Sequence, residues 1–274
     1  MNTFQKVVKY IALALALSII VSIITLAFNI INEVFLSFHE KKLENTEYKF
    51  QNEVINRIDI DIKGADVSII YGSEFKIETN IKDVSRSVKN GVLKVKDNSR
   101  GYNKDKKMVI TIPESNVFES VKISLGRGVS TISSLNAKEV DFEIGAGKVV
   151  LNNLNISNKA EFECGAGKLE INNSRINNLK LDMGAGEVSV SSILTGTSEF
   201  DAGVGKLSIN LLDSIDNYSF TIDKGIGSIK LNNEDVSSDV TVGNGVNAID
   251  IDGGIGEFIV TTKYKFLVFY KNAQ

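Results

Sequence analysis

The stretches GAGK at Gly145 and Gly165, and GAGE at Gly184, are where this chain first suggests chemistry. A glycine loop beside a lysine can cradle a phosphate: backbone N–H groups without Cβ crowding turn toward the oxygens, and the ammonium balances their charge. The spacing does not fit that use. GxxxxGK[ST] needs a longer gap between glycines and a hydroxyl after the lysine, and no helical pattern follows the glycines here. The dinucleotide fingerprint GxGxxG needs a third glycine where Val150, Glu170 and Ser189 stand. The calcium-binding repeat GGxGxDxUx fails in GGIGEFIV, where Phe258 occupies the position of the ligating aspartate.

The remaining reactive residue types are sparse. Cys164 is the single cysteine and His39 the single histidine, so an internal disulfide and a Cys/His metal site are arithmetically excluded. Cys164 lies in an alternating apolar pattern and reads as a small core residue; His39 lies in a polar stretch and reads as a solvated linker residue. Glu161 and Glu163 share one strand face, but acid–base work requires environments that push two carboxyls apart, and no neighbour suggests that. Lys148, Lys168 and Lys206 follow glycine pairs that Glu143, Glu163 and Asp201 precede. This reads as a solvated face where opposite charges meet across a corner, each pair contributing about 0–1 kcal/mol, rather than as a binding stripe. No catalytic residue, cofactor-binding residue or metal ligand is expected.

The glycines make sense as architecture. Pairs recur at Gly126 and Gly128, Gly145 and Gly147, Gly165 and Gly167, Gly184 and Gly186, Gly203 and Gly205, and Gly225 and Gly227, with further pairs at Gly243 and Gly254. The spacing is about 19–20 residues through the middle and loosens toward the C-terminus. Before each pair apolar residues alternate with polar ones, as in Val140, Phe142 and Ile144, and the alternation resumes after it, as in Leu169 and Ile171. Period two is the strand period. Asparagines recur a few residues later, at Asn152, Asn172 and Asn232, each followed by a second asparagine. Asparagine tolerates the left-handed backbone of a corner, and stacked amides can form a ladder. Glycine at the other corner allows positive φ and close approach between coils. The predicted fold is therefore all-β: a parallel β-solenoid with coils of about 19–20 residues. The alternative is an antiparallel β-sandwich with the glycine pairs as hairpin turns, which gives no reason for the asparagines to repeat.

At the N-terminus, residues 10–31 (YIALALALSIIVSIITLAFNII) carry no charge, and at about 1.5 Å per residue they match a bilayer core. Lys6 and Lys9 precede this run and Glu33 follows it, so the positive-inside rule places residues 1–9 in the cytoplasm. The run is longer than a signal-peptide core and ends without a good cleavage site. The expected layout is a cytoplasmic tail (1–9), a transmembrane helix (10–31), a linker or helical extension (32–53), the solenoid (54–262) and a C-terminal capping strand (263–274). In that last strand Tyr264, Phe266, Val268 and Tyr270 alternate; a docking strand for a partner is the competing reading. Residues 98–107 read as an exposed loop, and the front half as the start of the solenoid with one or two protruding hairpins. The net charge of -3 lacks the basic footprint of a nucleic-acid binder.

The anchor, GADVSII, GVLKV, the VITIP strand ending in Pro113 and the repeated GAGKVVLNN-like units resemble the DUF4097 family of bacterial β-strand-repeat proteins, also named as candidate adhesins. The resemblance runs from about Ile58 to Val260, with irregular spacing after Gly203. It implies a membrane-anchored protein, often associated with envelope stress in Gram-positive bacteria, and supplies no catalytic residues. The expected function is a non-enzymatic cell-surface scaffold or binding module at the plasma membrane, with its C-terminal domain extracytoplasmic. Cell-wall polymer or a membrane protein is the expected partner. An accessory or sensory protein of an envelope-stress response, acting through a membrane partner, is the alternative. A polysaccharide-acting enzyme stands third; it would need an acidic cluster in a groove with perturbed carboxyls.

Overall fold

The computed structural model of the chain describes residues 45–99, 101–237 and 240–263. The expected transmembrane helix at 10–31, His39 and the alternating aromatics from Tyr264 to Tyr270 lie outside them. Among the described residues no helix is long and apolar enough to cross a membrane, and the one helical element is a 3-10 turn at Ile215–Asn217.

The middle of the chain forms β8 to β15. Their ranges are β8 (Phe118–Arg127), β9 (Val129–Ile132), β10 (Leu135–Ile144), β11 (Lys148–Asn152), β12 (Leu154–Cys164), β13 (Lys168–Asn177), β14 (Leu179–Thr195) and β15 (Thr197–Leu211), with β1 to β7 before them and β16 to β20 after. Here each coil pairs in parallel with the coil 19 or 20 residues before it: Phe142 faces Ile123, Phe162 faces Phe142, Leu181 faces Phe162 and Phe200 faces Leu181. Within a coil, a register shift between Ala137 and Glu139 bends the strand, the glycine pair turns it, and an asparagine turns it again into the next coil. This stack is solenoid-like. The parallel register rules out the sandwich alternative, in which the glycine pairs would join antiparallel neighbours.

Alternation places one side chain in two inside. Val140, Phe142, Ile144, Val149 and Leu151 are buried, and the same positions recur in every coil to make one continuous core. Phe142 and Phe162 stack face to face, with centroids 5.2 Å apart and planes 10° apart. Cys164 is buried in this core, as its pattern requires, and burial pushes its thiol up to about 11.

The two ends follow another rule. At the front, β1 (Thr46–Lys49), β2 (Arg57–Gly64), β3 (Asp66–Gly72), β4 (Lys76–Thr79), β5 (Val84–Lys89), β6 (Val92–Asp97) and β7 (Lys107–Pro113) share one coil, a terminal coil and its cover. β2 and β3 stack in parallel on β8 and β9, so the first coil lies against residues 63 positions later. The chain then runs back as β4 and β5, turns at Asn90 and Gly91 (φ 50° and 73°), and lays down β6 and β7 in parallel on β2 and β3. β4 and β5 pair antiparallel with β7 and β6 and cover the terminal coil; β1 pairs antiparallel with β4 outside them. Residues 98–99 and 101–106 belong to the corner loop between β6 and β7 and are exposed or half-buried.

At the far end the same plan runs in reverse chain order. β16 (Tyr218–Asp223) and β17 (Ile226–Leu231) form the terminal coil, and the chain turns at Asn232 and Asn233 (φ 51° and 71°). β18 (Glu234–Asp235) and β19 (Val240–Gly243) then return antiparallel over β17 and β16. β20 (Asn247–Thr262) enters between β15 and the terminal coil, so that Phe258 faces Leu207 on one side and Ile229 on the other. This explains the loosened spacing. The pair at Gly254 stacks on Gly203, while Gly243 closes β19, where a Cβ would meet Tyr218 O, and lies off the glycine column.

Candidate functional site

The site grows from the corner glycines. Gly126, Gly145, Gly165, Gly184 and Gly203 form one column, continued by Gly254; Gly128, Gly147, Gly167, Gly186 and Gly205 form a second, continued by Gly256. Gly225 and Gly227 sit above Gly253 and Gly256 in the terminal coil. A Cβ on Gly145 would lie 2.8 Å from Gly126 O, and one on Gly165 2.8 Å from Gly145 O. The same carbonyls accept hydrogen bonds from the next coil: Ala146 N–H donates to Gly126 O at 2.8 Å, and Ala166 N–H to Gly145 O at 2.9 Å. Close approach is thus what most of these positions require. Positive φ, also expected, holds at Gly128 and Gly205 (both 136°), Gly225 (55°) and Gly243 (82°), and not at the other glycines of the pairs from Gly126 to Gly227.

At the other corner the asparagine pairs divide the work. Asn153 and Asn173 take the left-handed backbone (φ 52° and 50°), while Asn152 and Asn172 stay in strand and form the amide rung, Asn172 Nδ2 donating to Asn152 Oδ1 at 3.2 Å. Asn232 instead heads the terminal hairpin and bonds Thr262. None of these amides opens onto a reactive group; they hold coils in register.

Because the first glycine column lacks side chains, an open trench of about 970 Å³ runs along the stack beside it. Five carboxylates, from Glu143 to Asp252, line its wall and belong to a column that Asp223 continues. Glu143, Glu163, Asp182, Asp201, Asp252 and Asp223 face one another in register, coil upon coil. Each stands two residues ahead of a glycine pair. That signal was in the sequence, but only the permuted order of the last coils places Asp252 between Asp201 and Asp223.

The column's charges are unevenly balanced. Lys122 Nζ bonds Asp141 Oδ2 at 2.8 Å and Glu143 Oε1 at 3.0 Å; its hydrogen bond, with one from Ser124, holds the Glu143 carboxyl below the usual range. Lys180 reaches Asp182 Oδ2 at 3.4 Å. Among the described residues no basic group forms an ion pair with Glu163, Asp201 or Asp252. Asp182 Oδ1 is buried without a hydrogen-bond donor. Asp201 is exposed, yet its carboxyl is pushed above its ordinary value by partial loss of hydration, by hydrogen bonding with Asp182, and by the charges of Asp182 and Asp252.

The lysines after the glycines correct the expected pairing across the corner. They pair along their own sheet: Lys148 with Glu170 at 3.3 Å, Lys168 with Glu170 at 3.2 Å and with Glu187 at 3.3 Å, and Lys206 with Glu257 at 3.2 Å. The acidic column is therefore left without these partners. Among the described residues no three His, Cys, Asp or Glu side chains converge to hold a metal ion. The carboxylates are spread along a line, an arrangement for contact over a length.

The Toastrack DUF4097 family model matches residues 55–246. A candidate adhesin from Bacteroides fragilis is 18% identical, covers 81% of this chain and 98% of its own, and superposes with a TM-score of 0.53, which shows a shared fold. A candidate cell adhesion protein from Clostridium sporogenes is also 18% identical and covers 80% of this chain and 99% of its own, with a TM-score of 0.36. A candidate lipid-binding protein from Parabacteroides distasonis is 14% identical and covers 81% and 98%, with a TM-score of 0.33. No curated protein matches this chain. With the family match spanning more than half of its length, the chain belongs to the Toastrack DUF4097 family.

Proposed function

We propose that this protein is a non-enzymatic surface component of the cell envelope, held in the plasma membrane by residues 10–31 and presenting its coil stack outside as a scaffold or binding module. The observation that supports this reading is the acidic column. Carboxylates repeated at the coil spacing, about 4.8 Å, along an open trench suit an extended polymer carrying cationic groups. A small substrate would instead need polar groups converging on one point of an enclosed pocket. The adhesin name of the Bacteroides fragilis relative favours the same reading.

The test is binding of the full chain, in nanodiscs, to purified cell-wall polymer. Neutralising the trench by Glu163→Gln, Asp201→Asn and Asp252→Asn together should weaken binding about tenfold at low salt, and 0.5 M salt should erase the difference. Equal binding by both proteins would remove the trench from the mechanism. In-cell crosslinking that captured a membrane sensor instead of polymer would shift the weight to the accessory or sensory role.

One observation favours the enzymatic reading: Asp182 and Asp201 form a carboxyl pair in a groove, and one member is raised. Their placement argues against it: Asp182 and Asp201 are direct neighbours in register on adjacent coils, whereas glycoside-cleaving carboxyls flank the sugar, which lies between them. Release of reducing ends from wall polysaccharide, abolished by Asp201→Asn, would establish the enzyme.

A further inference from the structure

The two ends of the stack differ in how far their covering strands are themselves paired, and the difference points to an occupant. At the front, the outward edge of β4 is taken by β1, and of the two covering strands β5 alone is left with an open edge among the described residues. At the far end, among the described residues, nothing pairs with the outward edge of β18 or β19. We infer that the chain's own residues 264–270 dock along this edge and complete the far end.

Several observations place that segment there. The described chain stops at Lys263, whose N–H donates to Asp213 O at 3.2 Å, and Thr262 N–H donates to Asn232 Oδ1 at 2.9 Å. The chain therefore leaves beside the hairpin turn from which β18 starts. Residues 264–274 can span about 35 Å when extended, enough to pass over that turn and run the length of β19. The far end also exposes apolar side chains. Val246 is 92% and Ile226 60% exposed, and Val240 and Val242 are only partly covered. Tyr264, Phe266, Val268 and Tyr270 alternate at the strand period and supply a matching apolar face. Charge agrees as well: Lys263, Lys265 and Lys271 accompany the segment, and Glu234 and Asp235 lie exposed on β18. An uncovered strand edge with apolar neighbours is a template for pairing with other chains, and a strand from the same chain removes that hazard.

Hydrogen exchange of the full chain in detergent tests the docking. The amides of 264–270 and those amides of Val240–Gly243 that face away from β16 should exchange at least about 100-fold more slowly than unstructured peptide. Phe266→Asp and Val268→Asp should each release both sets while the amides between Phe118 and Leu211 stay protected, which separates undocking from unfolding. Unstructured rates for 264–270 in the unaltered protein would overturn the inference. So would protection that grows with protein concentration, which would assign the edge to a second copy, or protection found in lipid bilayers and absent in detergent, which would assign the segment to the membrane.

Discussion

Between Phe118 and Leu211 the chain climbs one coil at a time, and every coil meets its neighbours in sequence. Outside that range it leaves the stack, builds a terminal coil, covers it with an antiparallel return, and inserts one further coil between. The middle has only to match itself: glycine on glycine, Phe162 on Phe142, Asn172 on Asn152. An end has nothing to stack on and must satisfy a row of backbone donors and acceptors from its own chain. Both ends do so through a two-residue turn with positive φ, Asn90 and Gly91 at one and Asn232 and Asn233 at the other. That backbone geometry lets antiparallel strands leave a tight hairpin with the correct twist. Periodic packing serves the middle; local turn chemistry serves the ends.

The sharpest way to break this comparison is to add one methyl group. A Cβ at Gly186 would press into Gly167 O, which belongs to the coil beneath and cannot move without shifting that coil. Gly186→Ala should cost about 3 kcal/mol, read as the denaturant midpoint, and lower amide protection on both sides of the defect. Gly101, in the front corner loop, has positive φ (73°), and a methyl group added there would meet no atom within 4 Å. Gly101→Ala should cost no more than about 1–2 kcal/mol, the backbone penalty alone. Equal losses at both sites would mean that the coils are not close-packed at their corners.

A hairpin variant should act locally. Gly91 carries φ 73°, and a Cβ there would also meet Asn56 Oδ1. Gly91→Ala should cost more than the backbone penalty of about 1–2 kcal/mol and raise exchange in β5 and β6 while β10 to β15 keep theirs. Loss of protection throughout would show that the front cap and the middle unfold as one unit. Asn172→Ala removes a single rung from the amide ladder and should cost about 1 kcal/mol.

The smallest expected effect has the opposite sign. Asp201 holds its proton more tightly in the folded chain than in the unfolded one. The folded state then binds more protons as the pH passes from the ordinary aspartate value to the raised value, so stability falls as pH rises through that window. Above it the penalty is fully present; below the unfolded value it is absent. Asp201→Asn should therefore stabilise the protein at pH 7 by about 0.5 kcal/mol, and the two melting curves should converge in acid. A variant less stable than the parent at pH 7 would mean that the column's repulsion is already neutralised.

The coil was legible in the sequence because its spatial neighbours are also sequence neighbours. Glycine pairs, alternating apolar residues and asparagines at constant offsets require a repeating unit, and the strand period says which side chains face the core. Chemistry was legible mainly by subtraction, from a single cysteine, a single histidine and glycine spacings that fit no phosphate loop. The order of the last coils was not legible. Gly225 and Gly254 both read as further steps, yet strand pairing is blind to distance along the chain, and β20 finds better-matched edges 51 residues back on β15 and about 30 residues back on β16 and β17. Nor did spacing reveal where the lysines point, since a corner sends Lys148 and Lys168 along the next sheet toward Glu170 and away from Glu143 and Glu163. By itself, then, the sequence determined the repeating strand, its two corner types and its buried face, because these depend on local sterics and burial. Tertiary structure alone decided which coils touch, and with that the unbroken line of carboxylates, because only stacking brings Asp201, Asp252 and Asp223 together.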